Sequence, residues 1–235
     1  TPRLSSYWLY FVTSTSYKLA TALVNSMKVE VIALDNRIKE IIPIENLTYE
    51  SAIKRTLSKI KSNEITSSWK DAFISGDLAF NISEFIKVPE FGCFKDKKSI
   101  TIPNLNKCKE NIWKIGGDNG WYKANLLWKT RGFIDKLFGG VGLRRGRTNP
   151  TEISAGDTLD FWRVLYANKK EGRLLLFAEM KLPGEAWLEF NIINNQLHQT
   201  ATFRPKGLLG RLYWYAVTPF HHIVFNGMIK NIIKD

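Results

Sequence analysis

The sequence predicts an α+β fold in which an antiparallel sheet packs against one long C-terminal helix. The first observation is a series of four strand-like runs, joined in part by the turn-forming pairs Pro183-Gly184 and Asn194-Asn195. The second is an apolar run over 208–233, too long for a strand, whose start is prepared by Pro205 and Gly207. A helix of this kind can cover the apolar face of such a sheet. The four strand-like runs are 157–167, 172–181, 185–194 and 196–204.

The N-terminal part of the chain, residues 1–65, is predicted to be a small and mostly helical segment. So few residues cannot bury a core of their own, and the apolar run from Tyr7 to Val12 needs a covering surface. We therefore expect this segment to pack against the rest of the protein or against a second chain. Its predicted helices are 4–12, 16–28 and 51–60, and its one strand-like run is 29–34.

Residues 66–93 are predicted to be a linker, because they are polar and are interrupted by Gly76, Pro89 and Gly92. A regular pattern begins at 94 and predicts a second domain over 94–235. Before the four strand-like runs, this domain holds a strand at 95–102, a helix at 106–115 and an amphipathic helix at 121–138. The final helix is predicted to kink at Pro219.

Side-chain alternation gives the predicted sheet one apolar face and one mixed face. Gln199 is the polar exception on the apolar face, and Arg163 joins it if the first strand keeps the register of Leu159, Phe161 and Leu165. A space between this face and the long helix suits a mostly apolar ligand that a few polar groups hold in place. The predicted ligand-binding residues are Trp121, Tyr122, Trp128, Arg163, Met180, Phe190, Gln199, Tyr213 and Trp214.

Two alternatives to a ligand cavity stay open at this point. The chain has eight tryptophans, and such large side chains can simply fill the space. Glu179, Glu185 and Glu189 lie on the mixed face near Trp187, where paired carboxylates could perform acid–base chemistry. Carboxylates on an exposed sheet face more often pair with Arg or Lys. The residues alone therefore leave open whether the chain is an enzyme.

The positive charge is concentrated in one part of the chain. The net charge is +12, and residues 95–147 hold 13 Lys/Arg against 4 Asp/Glu. Arg144, Arg145 and Arg147 follow a glycine-rich turn, so we expect them to project at one end of the fold and to contact an anion or the acidic surface of an adjoining domain. The alternative is a charge imbalance that a missing partner domain offsets.

Several kinds of site find no support in the residue spacing. The glycines of 139–146 follow a helix and precede a strand, the reverse of the order that a dinucleotide-binding fingerprint requires. Three histidines and two cysteines lack metal-ligand spacing, so we predict no metal site. No apolar run is long enough to span a membrane. With so few cysteines, the reducing cytoplasm is the expected location.

Four long motifs in the second domain resemble a known family. They are GGDNGWYKANLLWKTRGFIDKLFGGVGLRRGR, GDTLDFWRV, AEMKLPGEAWLEF and FRPKGLLGRLYWYAVTPFHHIVFNGM. Together they resemble, over 95–235, a bacterial domain of unknown function that is found fused behind an atypical NAD(P)-binding short-chain dehydrogenase/reductase of the nucleoside-diphosphate-sugar-epimerase-like type. Residues 1–60 resemble the end of that dehydrogenase module. The resemblance implies a START-like (SRPBCC, helix-grip) fold, a curved sheet around a long C-terminal helix, and it implies no activity.

The expected function is therefore binding of a hydrophobic or amphipathic small molecule, accessory to a fused dehydrogenase-like module. An alternative is a fragment of an NAD(P)-dependent oxidoreductase that supplies only the substrate lobe. A third class, a basic surface module for nucleic acid or anionic membrane, is the least favoured because the aromatics at helical spacing suggest burial. No cofactor is expected in this chain, since the Rossmann glycines would lie upstream of Thr1. The chain starts without Met, so we expect a fragment or a processed product.

Overall fold

The computed structural model describes residues 2–13, 17–30, 32, 35, 37–43, 45–61, 86–137, 140, 142, 146, 147, 149 and 151–234. The chain divides into two compact units, Thr1–Trp69 and Lys70–Asp235. Most of the predicted linker at 66–93 lies outside the described residues. The domain boundaries that we drew from the sequence stay predictions.

The first unit confirms a mostly helical N-terminal segment. The rings of Tyr7 and Tyr17 stack with their centroids 4.6 Å apart and join its first two helices. Among its described residues only Ser6 and Ala20 are buried, so this unit holds little core of its own. The prediction of a strand at 29–34 is wrong for the residues that the structure describes there, because they lie outside any strand. The helices are α1 (Pro2–Val12), α2 (Tyr17–Ser26), α3 (Ile38–Ile41) and α4 (Tyr49–Lys61).

The second unit is built on one antiparallel sheet of six strands in the order β1-β6-β5-β4-β3-β2, which confirms the predicted antiparallel sheet. One predicted strand, 157–167, is split in two because Asp160 has a φ of 55°, which interrupts the extended backbone. The strands are β1 (Phe94–Thr101), β2 (Thr158–Leu159), β3 (Trp162–Asn168), β4 (Arg173–Ala178), β5 (Gly184–Ile193) and β6 (Gln196–Pro205).

In the described part of this unit the α-helices are α5 (Leu105–Trp113), α6 (Asn125–Leu137) and α7 (Gly207–Ile232). Asn104 caps α5, and its side chain accepts a hydrogen bond from the amide of Lys107 at 3.1 Å. Helix α6 begins later than the predicted Trp121, because Tyr122 and Ala124 have left-handed φ values of 59° and 55°. Pro219 lies inside the continuous helix α7.

The core lies between one face of the sheet and the C-terminal half of α7, as predicted. Strand residues such as Leu174, Leu188 and Phe190 are fully buried there beside Met228 and Ile232 of the helix. Burial on this scale is the main favourable contribution to folding. The opposite face of the sheet carries a second, smaller cluster formed by Leu165, Leu175, Phe177 and Trp187.

Arg163 differs from its sequence prediction. It pairs across the strands with Phe177, which belongs to the second cluster, whereas Gln199 pairs with Phe190 of the main core. Side chains of cross-strand partners share a face, so Arg163 and Gln199 lie on opposite faces of the sheet. The break at Asp160 causes the difference, because it ends the register on which the prediction depended.

Candidate functional site

A cavity of about 320 Å³ lies between the sheet and the two helices α6 and α7. Its walls come from one end of β5 and β6, from the chain between β4 and β5, and from facing turns of both helices. Phe220 and Leu127 are 53% and 38% exposed, so they mark an edge of the cavity that is open to solvent. Of the residues predicted to bind a ligand, four line this cavity: Trp128, Met180, Tyr213 and Trp214.

One wall of the cavity is a stack of aromatic rings. Trp214 stacks on both Phe94 and Phe203, with ring centroids 5.3 Å and 5.9 Å away and the planes within 8° of parallel. Tyr213 packs against Phe203 at 5.6 Å, and His221 meets Trp214 edge-on at 4.9 Å. Stacked rings present broad apolar surfaces with little conformational freedom. This wall is therefore apolar and formed by closely packed rings.

The facing wall is centred on Trp128 of α6. Its ring lies 5.5 Å from Trp121, 5.7 Å from Phe161 and 6.4 Å from Phe225. Trp121 is 2% exposed and is absent from the described lining, so it supports Trp128 from behind rather than facing the cavity. Trp162 also lies beside Trp121, at 6.0 Å, and does line the cavity.

Three nitrogen atoms on the side chains that line the cavity have no hydrogen-bond partner in the part of the chain that the structure describes. They are Nε1 of Trp128, Nε1 of Trp162 and Nδ1 of His221. Each is shielded from solvent, and an unpaired buried donor costs about 1–3 kcal/mol. Burial lowers the pKa of His221 to about 4, against the favourable effect of Asp96, so its imidazole is neutral at pH 7.

Arg131 is the only charged side chain in the described lining. Its guanidinium donates to the carbonyl oxygen of Lys181 at 3.0 Å and lies 3.9 Å from the carboxylate of Asp135. Asp135 is 1% exposed and accepts hydrogen bonds from the amides of Lys181 at 2.7 Å and Gly142 at 3.0 Å. These contacts fasten the end of α6 to the chain that follows β4.

Behind the Trp128 wall, Asp160 holds the backbone in place. Its carboxylate accepts from Nε1 of Trp121 at 2.8 Å and from the amide of Gly117 at 3.3 Å. Burial raises the pKa of Asp160, while these hydrogen bonds and Arg147 act in the opposite direction. The hydroxyl of Tyr122 donates to the carbonyl of Asn111 at 2.8 Å, and burial raises the pKa of Tyr122 to about 12. This region is structural rather than part of the cavity.

Arg147 does not project from the end of the fold as we expected. Its guanidinium donates to the carbonyl oxygens of Ile115 at 2.5 Å and Trp113 at 2.8 Å, and its Nε donates to that of Asn149 at 2.8 Å. Burial lowers the pKa of Arg147. The Arg147 side chain therefore links the backbone at the end of α5 to that of Asn149. These carbonyl groups take the place of the external anion that we expected. Arg144 and Arg145 lie outside the described residues.

The remaining predicted residues lie away from the cavity lining. Phe190 is fully buried in the main core, and Gln199 is 1% exposed with neither amide atom hydrogen-bonded to a described residue. Arg163 is 2% exposed and pairs with Glu179 at 2.7 Å on the opposite face of the sheet. Glu185 and Glu189 also pair with arginines, Arg204 and Arg173. All three carboxylates thus take part in the ion pairs that their position on a mixed face favours.

Sequence reasoning missed His221, because it considered the histidines only as metal ligands. A signal for it was present, because His221 follows Trp214 by seven residues and precedes Phe225 by four on the same helix. Arg131 was also missed, although it follows Trp128 by three residues and precedes Ile134 by three on α6 and so shares a face with both. The structure thus brings together four of the predicted residues and adds His221, Trp162 and Arg131.

Within the described ranges, none of the helices is both long enough and apolar enough to cross a membrane. No curated protein and no solved structure matches the chain. A family model does match, over residues 92–228, which include the whole sheet, the cavity lining and most of α7. The chain therefore belongs to the family described as protein of unknown function (DUF2867).

Proposed function

We propose that the second unit is a START-like, helix-grip binding domain that holds a hydrophobic or amphipathic small molecule in the cavity between its sheet and its C-terminal helix. The apolar lining of this cavity is the observation that carries the proposal. Its volume of about 320 Å³ falls at the lower end of the range for ligand sites, roughly 300–1,000 Å³.

The energetics of burial favour an apolar ligand. Two aromatic walls face the space, one around Trp214 and one around Trp128, and each buried methylene of a ligand contributes about 0.8 kcal/mol. Packed aromatic side chains have few rotatable bonds, which limits the entropy that the protein loses on binding.

An amphipathic ligand finds a polar contact at Arg131. A guanidinium carries five N–H donors. The side chain of Arg131 is 23% exposed, and among the described residues it contacts one backbone acceptor, the carbonyl of Lys181, and one carboxylate 3.9 Å away. A polar end group held there leaves the apolar part of the ligand between the aromatic walls. The proposed binding domain therefore suits both hydrophobic and amphipathic small molecules.

In a longer protein this domain serves a dehydrogenase-like module that precedes it, as the resemblance of residues 1–60 suggests. NAD(P) binds to that module, and the cavity holds or presents a substrate. The resemblance supports this part of the proposal, whereas the cavity supports ligand binding alone.

Fluorescence titration with phenylnaphthylamine, an uncharged probe that brightens in apolar sites, tests the proposal. We expect saturable binding to the purified chain. Val217→Trp fills the cavity from α7. Ala216→Trp, the control, adds the same side chain at the preceding position of the helix, which is exposed. Val217→Trp should weaken binding by at least about tenfold, the effect of 1.4 kcal/mol. Unsaturable binding, or equal affinities for both variants and the parent chain, would refute the proposal.

A further inference from the structure

The solvent-facing side of helix α7 is largely apolar from Leu208 to Ile223. Leu208, Leu212, Tyr215 and Ile223 are each more than half exposed. Their spacing of four, three and eight residues places them on one face of the helix, along about 22 Å of its axis. A helix at the surface of a soluble domain ordinarily presents polar side chains to solvent, so an apolar face of this length indicates a partner.

Helix α6 adds a second exposed apolar face. Leu126, Phe133 and Leu137 are each more than half exposed, and their spacing of seven and four residues places them on one side of the helix. Leu127 is exposed as well, and it lines the cavity together with the exposed Phe220 of α7. The apolar side chains of both helices thus border the same cavity. We call the exposed apolar side chains of α6, and those of α7 up to Ile223, the α6–α7 apolar surface.

The exposed charges on these two helices, all of whose residues the structure describes, are positive. They belong to Lys129 of α6 and to Arg211 and Lys230 of α7. Helix α7 contains no Asp or Glu. The one carboxylate of α6, that of Asp135, is buried and accepts hydrogen bonds from backbone amides. The partner of this surface should therefore be both apolar and negatively charged.

Two of these cations lie beside the exposed apolar side chains. Arg211 follows Leu208 by three residues and precedes Tyr215 by four, so the three side chains share a side of α7. Lys129 likewise precedes Phe133 by four residues on α6. A helix face that combines leucines, aromatic rings and basic side chains is suited to the boundary between the headgroups and the acyl chains of an anionic bilayer.

We propose that the α6–α7 apolar surface binds the surface of an anionic lipid bilayer. The exposed leucines of both helices enter the boundary between headgroups and acyl chains, while Arg211 and Lys129 contact the anionic headgroups. This inference goes beyond the proposed binding of a small molecule and does not depend on it.

A second copy of the chain fits this surface less well than a bilayer does. Two copies joined through the same surface present identical residues to each other. The exposed charges that α6 and α7 bring to such an interface are all cations, and like charges across an interface are unfavourable. An anionic bilayer supplies the opposite charge together with an apolar interior.

Nucleic acid also meets only part of the requirement. Its phosphates suit the cations, but its bases bind by stacking on aromatic rings. The side chains that α7 exposes most are those of Leu208 and Leu209, which are aliphatic. The sequence argument against a membrane surface concerned the buried aromatics, and Trp121 and Trp214 are indeed buried. These exposed leucines lie outside that argument.

Cosedimentation with sucrose-loaded vesicles tests the proposal in the whole chain. We expect the parent chain to pellet with vesicles of phosphatidylcholine and phosphatidylglycerol, and much less with phosphatidylcholine alone. The double variant Leu208→Asn/Leu212→Asn should bind the mixed vesicles at least about tenfold more weakly, because two exposed leucines lose their contact with the acyl boundary. The matched control is Ile53→Asn/Leu57→Asn, an exposed pair with the same spacing on α4, which should bind like the parent chain.

A second pair of variants tests the electrostatic part of the contact. Arg211→Gln should weaken binding to the mixed vesicles by about fivefold, the contribution of one basic side chain near an anionic surface. Lys18→Gln, at an exposed position of α2, removes the same net charge and should change binding by less than about twofold. Equal losses in these two variants would show that only the net charge of the chain matters and would overturn the proposal.

The leucine variant decides between a bilayer and the other partners. Unchanged vesicle binding by Leu208→Asn/Leu212→Asn, or no binding by the parent chain, overturns the proposal. A parent chain that ignores vesicles and sediments as a dimer, which the leucine variant dissociates, would show that a second copy covers the surface instead. Should circular dichroism show the double variant to be unfolded, Tyr215→Gln on the same face replaces it, with at least about a threefold loss of vesicle binding expected.

Discussion

Trp121 donates its indole N–H to the carboxylate of Asp160 at 2.8 Å, and this hydrogen bond joins the loop before α6 to the break between β2 and β3. The backbone is irregular at both ends of this contact. Asp160 has a φ of 55°, and the residue after Trp121, Tyr122, has a φ of 59°. The contact fixes Trp121, which in turn supports Trp128 in the cavity wall.

Removing this acceptor should destabilise the second unit. Asp160→Ala leaves the donors of Trp121 and Gly117 unpaired and places alanine at a left-handed φ, so we expect a loss of about 2–4 kcal/mol in the free energy of unfolding. Asp160→Asn keeps an acceptor and tolerates the same φ, and it should cost about half as much or less. Urea unfolding followed by tryptophan fluorescence measures both. Equal losses for the two variants would show that the charge, not the acceptor, matters.

The sheet and the long helix could be predicted because their signals are local. Period-two alternation and the pairs Pro183-Gly184 and Asn194-Asn195 identify strands directly, and the apolar run before Ile233 is too long for a strand and suits a helix that covers the sheet. Reliance on local signals also explains two errors in the predicted fold, the start of α6 and the unbroken strand at 157–167. Left-handed backbone at Tyr122 and at Asp160 is held by tertiary hydrogen bonds. A tyrosine gives no signal of it, and an aspartate tolerates it without identifying the position.

The candidate site could be predicted only in part for the same reason. Tyr213 and Trp214 lie on a helix whose place was evident, and both line the cavity. Arg163 was assigned to the wrong face because the break at Asp160 shifts the register. Arg147 carried the expected charge, but its acceptors are backbone carbonyls that no sequence pattern displays.

His221 should make the second unit sensitive to acid. Its folded-state pKa is about 4, below the ordinary 6.5, so the unfolded chain binds a proton between these values and the folded chain does not. Stability is therefore complete above pH 6.5 and falls as the pH drops toward 4, by up to about 3 kcal/mol. His221→Phe should remove this loss.

The adjacent His222 provides the control for that experiment. It is exposed, so His222→Gln should retain the acid sensitivity of the parent chain. The measurement is the free energy of unfolding in urea at pH 7, 6, 5 and 4. A profile for His221→Phe that overlays the parent profile would contradict the prediction.

Two glycines of α7 should respond differently to alanine. A Cβ at Gly210 would lie 2.3 Å from the carbonyl oxygen of Pro183 and 2.9 Å from the backbone of Pro205, where rigid chain leaves no room. A Cβ at Gly227 would lie 2.3 Å from Cγ of the exposed Lys123 side chain, which would have to rotate about its Cα–Cβ bond to make room. We expect Gly210→Ala to cost about 1–3 kcal/mol.

The helix propensity of alanine offsets the contact at Gly227, so Gly227→Ala should fall within about 1 kcal/mol of the parent chain. Thermal unfolding of both variants measures the difference. Gly210 lets the start of α7 pack closely against Pro183 and Pro205, near Tyr213 of the cavity lining. Gly210→Ala should therefore also weaken binding of phenylnaphthylamine. Equal melting temperatures for the two variants would show that the start of α7 can shift away from Pro183 at little cost.

A substitution at Gln199 distinguishes a structural role of this side chain from a role in ligand binding. We predicted it as a ligand contact, yet it lies outside the cavity lining and both of its amide atoms lack partners among the described residues. A buried amide without partners is unfavourable, so Gln199→Leu should raise the free energy of unfolding by about 1–2 kcal/mol and leave binding of phenylnaphthylamine unchanged. Gln196→Leu, at an exposed position of the same strand, should alter stability by no more than about 0.5 kcal/mol. A loss of probe affinity in Gln199→Leu, with Gln196→Leu unaffected, would instead place the amide in the binding site and restore the sequence prediction.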